Sequence, residues 1–68
     1  MIRQRVVERL TEKQLSALRA AFLAGYYDYP RGTTAEALAD SLDIAPSTFH
    51  QHLQAAQRKL LATVLGGE

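Results

Sequence analysis

Apolar residues along this chain recur every three or four positions and nowhere alternate strictly with polar ones, which predicts helices without strands. The first well-marked helix spans 12–24. Thr11 and Gln14 have the spacing of a reciprocal capping box, and Leu10 and Leu15 that of a hydrophobic staple. Leu15, Leu18 and Phe22 form its apolar stripe, and Gly25 supplies the left-handed stop. Ala17, Ala20, Ala21 and Ala24 make the other face. They read first as plain helix formers, and second as a flat surface for close packing. A second, short helix is expected over 35–42, with a core face of Ala35, Leu38, Ala39 and Leu42. Either Thr33 or Thr34 can cap it, and Thr33 with Glu36 repeats the capping-box spacing. A third helix starts at Pro46, whose missing donor costs nothing in the first turn, and runs to about 65. Between the first two lies Tyr26 to Gly32, where Pro30 and Gly32 forbid regular helix. Its tyrosines plug gaps between helices with their phenols at the surface, or one of them touches a ligand. Residues 1–9, with Ile2, Val6 and Val7, are a linker or an N-terminal helix, and the main domain spans 10–65.

The third helix carries the informative asymmetry. On a 100° wheel Leu53, Ala56 and Leu60 fall within about 40° of Phe49. Ser47, Gln51, Gln54 and Arg58 gather equally closely around the opposite pole. Ordinary solvated faces mix Glu with Lys. This one is acid-free and rich in groups that both donate and accept, as the edges of bases in the DNA major groove require. The net charge is only +1, but acids and bases balance six to six over 1–43, and none of the seven acids lies between Ile44 and Gly67. A basic-to-neutral segment thus sits on a nearly neutral chain.

The spacing between the second and third helices agrees. Ala39 occupies the place where a helix-turn-helix needs a small residue for close crossing. Asp43 follows at the turn and Ile44 at the apolar plug, with Phe49 and Leu53 as core anchors further on. With these features in place, residues 10–61 resemble the C-terminal helix-turn-helix domain of the bacterio-opsin activator family of archaeal transcription regulators. The likeness rests on Leu10-Thr11 with Gln14, on the run GYYDYPR from Gly25 to Arg31, on Leu38-Ala39, and on Ser47-Thr48 followed by His52-Leu53. The resemblance implies sequence-specific DNA binding in transcriptional control, frequently behind an N-terminal sensor domain. The chain departs from the family at Asp43, where a turn Gly is usual, and at Ala45, where Ser usually caps the recognition helix. Its net charge of +1 also differs from the acidic proteins common in salt-loving archaea.

The expectation is therefore all-α: a small three-helix helix-turn-helix, winged-helix-like without a wing, with 46–65 as recognition helix. Ser47, His50, Gln51 and Gln54 are assigned to base edges, with Gln51 first because an amide pairs bidentately with adenine. Thr34 and Thr48 are assigned to phosphates near helix N-termini, and Arg31 and Arg58 to the charged backbone. His52 sits at the edge of the seam and is expected to pack against the first helix. Beyond Leu60 the apolar positions fan out over about 140°, so Leu61, Val64 and Leu65, joined by Ile2, Val6 and Val7, are expected to form a homodimer seam. The rival readings are a protein-interaction module and a promoter-contacting region of the sigma-factor kind.

Composition narrows the remaining classes. With no cysteine there are no disulfides, thiolate metal sites or thiol nucleophiles. His50 and His52 point about 200° apart on a helix and cannot grip one ion, so neither a metal nor another cofactor is expected. Ser and His occur without an oxyanion loop or an orienting carboxylate, which argues against an enzyme. An apolar fraction of 47% is too high for disorder. No run approaches the ~20 residues that span a bilayer, and no signal peptide is visible, so a cytoplasmic location without membrane contact is expected.

Overall fold

The computed structural model describes the backbone of residues 2–66 and the side chains of residues 4–66. They form four helices: α1 (Ile2–Arg9), α2 (Glu12–Leu23), α3 (Ala35–Ser41) and α4 (Pro46–Gly66). The three expected helices stand within a residue of their predicted bounds. The N-terminal residues resolve into a helix rather than a linker, so the bundle has one more helix than the sequence pattern requires.

Local hydrogen bonding explains the boundaries. Thr11 Oγ1 accepts from the Gln14 amide at 3.1 Å, and Gln14 Oε1 accepts from the Thr11 amide at 3.1 Å, completing the capping box of α2. At α3 the cap is Thr34, whose Oγ1 accepts from the Ala37 amide at 3.1 Å, so the Thr33–Glu36 box does not form. Both α2 and α3 end in Schellman motifs. The Tyr26 amide donates to Ala21 O and the Gly25 amide to Phe22 O, with Gly25 at φ 85°. After α3 the Ile44 amide donates to Ala39 O and the Asp43 amide to Asp40 O, with Asp43 at φ 59°. Asp is among the few non-glycine residues that visit this region routinely, which is how the turn tolerates the missing glycine.

The core forms around Phe49, which is fully buried among Ala17, Ala21, Ala35, Leu38, Ala39 and Leu53. Ala17 and Ala21 of α2, with half-buried Ala20 beside them, are thus the packed face, and their reading as mere helix formers is corrected, while Ala24 stays exposed. Leu15 and Leu18 are only half-buried and Phe22 is 69% exposed. Small side chains let α2 and α3 approach α4 closely enough to enclose one large ring, so size rather than hydrophobicity selected the inner face. The displaced stripe instead lines an open apolar groove with Val7, Leu60 and Leu61.

Further along α4 the seam continues through Ala56 to Thr63, which is buried. Its Oγ1 donates to Lys59 O at 2.8 Å, so the hydroxyl is satisfied within the helix and its methyl is left to pack. α1 lies against α4, and Val6 is buried in this chain's own core rather than offered to a partner. Val6 therefore leaves the expected dimer seam, because the packing of α1 on α4 has already buried it. Ile2, another member of that seam, has its side chain outside the described residues. Lys59 fastens α1 and α2 to α4, donating to Arg9 O at 3.0 Å and to Gln14 Oε1 at 2.9 Å.

α4 begins at Pro46 behind Ala45, which has no side-chain acceptor. Ala45→Ser is expected to supply the missing cap and raise stability by about 1 kcal/mol. A thermal melt followed by circular dichroism should show a gain of roughly 4–8 °C for a domain of this size. An unchanged midpoint would mean that the end of α4 needs no cap.

Candidate nucleic-acid interface

With Phe49, Leu53 and Ala56 sealed inward, the opposite side of α4 faces solvent. Ser47, His50, Gln51, Gln54 and Arg58 are all exposed there. Ser47, Gln51, Gln54 and Arg58 follow one another at three or four residues, with His50 beside Gln51, so they form one continuous surface about three turns long. No carboxylate belongs to it. Gln51 and Gln54 also differ from the other α4 amide. Gln57 Nε2 donates to the Tyr27 hydroxyl, whereas Gln51 and Gln54 enter no side-chain hydrogen bond among the described residues. Their donors and acceptors are available together.

The other three candidates lie apart from that surface. Thr48 is half-buried on the flank of α4, beside a shallow groove formed with Glu12, Ser16, Leu42, Ile44 and His52. His52 lines the same groove, which α2 borders through Glu12 and Ser16. Thr34 is exposed, and its Oγ1 caps α3. Its hydroxyl proton remains free to donate to an anion. Arg31 projects from the α2–α3 connection with its guanidinium 4.5 Å from the centre of the Tyr26 ring. Stacking of this kind leaves the in-plane N–H donors available.

Electrostatically, the face is less cationic than the sequence suggests. Arg58 and Lys59 are adjacent, but only Arg58 lies on the outer surface; Lys59 is consumed by its bonds to Arg9 and Gln14. At the leading end, Pro46 has no amide proton and Ala45 provides no cap. The amides of Ser47 and Thr48 are therefore left for water or an anion at the positive end of the helix. The Tyr27–Gln57 and Lys59–Gln14 ties escaped sequence reasoning because their partners lie 30 and 45 positions apart. No periodicity marks such pairs. Among the described residues no cluster of His, Cys, Asp and Glu suits a metal, and no helix is long and apolar enough to cross a membrane.

Residues 10–62 match a protein family described as "HTH DNA binding domain". The chain belongs to that family. This helix-turn-helix domain is 49% identical over 59 residues to the bacterioopsin transcriptional activator of Halobacterium salinarum. It is 46% identical over 61 residues to a putative transcriptional regulator of Haloferax volcanii, and 47% identical over 58 residues to the transcriptional regulator NarO of that organism. The matches cover 87%, 90% and 85% of the chain, but only 9%, 10% and 28% of the respective relatives. No solved structure matches the chain. The family match makes this a helix-turn-helix DNA-binding domain, as the resemblance in the sequence implied, and the relatives that share it are named as transcriptional regulators. The family match begins after α1, so the helix that carries Val6 lies outside it.

Proposed function

We propose that α4 enters the major groove and reads a specific base sequence through Ser47, His50, Gln51 and Gln54. In this reading Arg58, Arg31, Thr34 and Thr48 hold the sugar–phosphate backbone. The observation that carries it is the acid-free outer face of α4, exposed along its length while Phe49 and Leu53 anchor the other side. An α-helix with its side chains is about 10–12 Å across and the major groove about 12 Å wide, so a helix presented in this way fits as a rod. The domain works by binding, without catalysis or a cofactor, as the DNA-reading part of a cytoplasmic regulator that carries a sensor domain elsewhere in its chain.

The reading includes a homodimer joined through Leu61, Val64 and Leu65. These are 54%, 48% and 79% exposed and continue the apolar edge formed by Val7, Leu60 and Phe22. Two copies would place two recognition helices about one helical turn apart on the DNA.

Selection from a pool of randomised duplexes tests the whole reading. The expected product is a motif of two half-sites about 10 bp apart, centre to centre. Binding to it should fall steeply with salt as counterions are displaced. Enrichment of a single half-site would remove the dimer and keep the groove contact. No enrichment, together with no binding at low salt, would overturn the recognition-helix assignment.

A further inference from the structure

The connection between α2 and α3 is built more firmly than a linker requires. Gly25 O accepts from the Asp28 amide at 3.1 Å and from the Gly32 amide at 2.9 Å, so the loop closes on itself. A Cβ on Gly32 would stand 2.9 Å from Ala24 O, which makes glycine necessary where the two ends of the loop meet. Within the closed loop, Tyr26 is half-buried against the core and carries the Arg31 guanidinium on its ring. Tyr27 meets Tyr26 edge-on, with ring centres 5.2 Å apart, and its hydroxyl accepts from Gln57 on α4. The loop is thus braced from below by the core and from the side by the recognition helix.

At the tip of this braced loop, Tyr29 is 100% exposed. A tyrosine held entirely in water gains nothing from burial and adds nothing to the fold. Its setting relative to α4 gives it another use. Gln57, the loop's point of attachment, follows His50 and Gln54 along one edge of the helix at spacings of four and three residues. The loop is therefore docked beside the outer face, on its His50–Gln54 flank. A helix that fills the major groove brings whatever is fixed to its flank against the bordering strand. In homeodomains, which also present a third helix to the major groove, the loop between the first two helices contacts the backbone.

We propose that the loop from Tyr26 to Arg31 is a second DNA-contacting element, a preformed clamp on the sugar–phosphate strand bordering the groove. Tyr29 donates its hydroxyl to a phosphate and lays its ring against the sugars, and Arg31 supplies charge. Tyr27 and Gln57 are positioning residues that hold the clamp in register with the recognition helix. The proposal rests on the placement of α4 in the major groove.

The test uses the duplex motif chosen by selection, with hydroxyl-radical footprinting to report sugars and methylation protection to report bases in the groove. Tyr29→Ala, whose side chain makes no contribution to the core, should melt like the parent. It should bind all duplexes about tenfold more weakly, the scale of one lost hydrogen bond to a charged group, with its sequence preference intact. Protection of the sugars bordering the groove should disappear while protection of the bases remains. Tyr29→Phe should recover the part of the footprint that comes from the ring. Tyr27→Phe, which removes only the hydroxyl that Gln57 reaches, should weaken the same flanking protection and leave the bases protected. If Tyr29→Ala binds and protects DNA as the parent does, the clamp is disproved and the placement of α4 stands. If the parent itself binds no duplex, both fail together. Normal DNA binding by Tyr29→Ala combined with loss of regulation in cells would assign the tip to a protein partner instead.

Discussion

Phe49→Ala is expected to leave the domain unfolded, or nearly so, at room temperature. Among the described residues Phe49 is the one large side chain that is completely buried, and α2, α3 and α4 meet around it. Truncating a core phenylalanine costs about 3–5 kcal/mol, part from lost transfer energy and part from the cavity left behind. Relaxation would close that cavity only in part, because four of the six buried residues around it, Ala17, Ala21, Ala35 and Ala39, are too short to reach inward and only Leu38 and Leu53 are long. A single core in a chain this small supplies roughly 3–5 kcal/mol in total. The loss is therefore as large as the stability itself. Urea titration followed by circular dichroism should show no folded baseline for the variant. A cooperative transition less than about 10 °C below that of the parent would show that α1, through Val6 and the Lys59 ties, carries more of the fold than the Phe49 cluster does.

The second large effect concerns recognition. Gln51→Ala should flatten the selected motif at one base position, lowering discrimination there by about 10- to 100-fold, the value of one bidentate contact. The fold should be unaffected, since Gln51 is exposed and touches no part of the core. Arg58→Ala should behave differently. It lies on the same face two turns further on and carries charge without a base-reading geometry. Its loss should weaken binding to every sequence alike and reduce the slope of log K against log salt by about one. The contrast separates reading from holding. A Gln51→Ala variant that keeps the full motif would move base recognition to Ser47, His50 or Gln54, and one that loses affinity uniformly would recast Gln51 as a backbone contact.

Several expectations from sequence held at the level of residues, and they share a physical basis. Thr11 with Gln14, Gly25 and Pro46 mark helix ends because each answers an orphaned backbone group within three or four positions, a distance that sequence displays directly. The polarity of α4 was legible for the same reason. A straight helix fixes which residues share a side, so Phe49, Leu53 and Ala56 inward leaves Ser47, Gln51, Gln54 and Arg58 outward. Asp43 at the left-handed turn and Ile44 folding back beneath it belong to this class as well.

Other features depend on which surfaces meet, and periodicity ranks residues by apolarity without knowing their neighbours. Phe22 outranks Ala21 on any such scale, yet Ala21 is fully buried and Phe22 is 69% exposed, because three helices enclosing one ring needed a thin wall. Thr63 took an apolar place once its hydroxyl was satisfied one turn back. Lys59 is taken up by the end of α1 and the start of α2, which converge on it, and Val6, expected in a dimer seam, is buried where α1 settles on α4. The amino-acid order alone determined where the helices start and stop, and which side of α4 is left facing solvent, since those depend on contacts within one turn. The tertiary arrangement decided which face of α2 is buried, which cations remain outside and where the tyrosine loop is braced, since each depends on a partner many residues away in the chain.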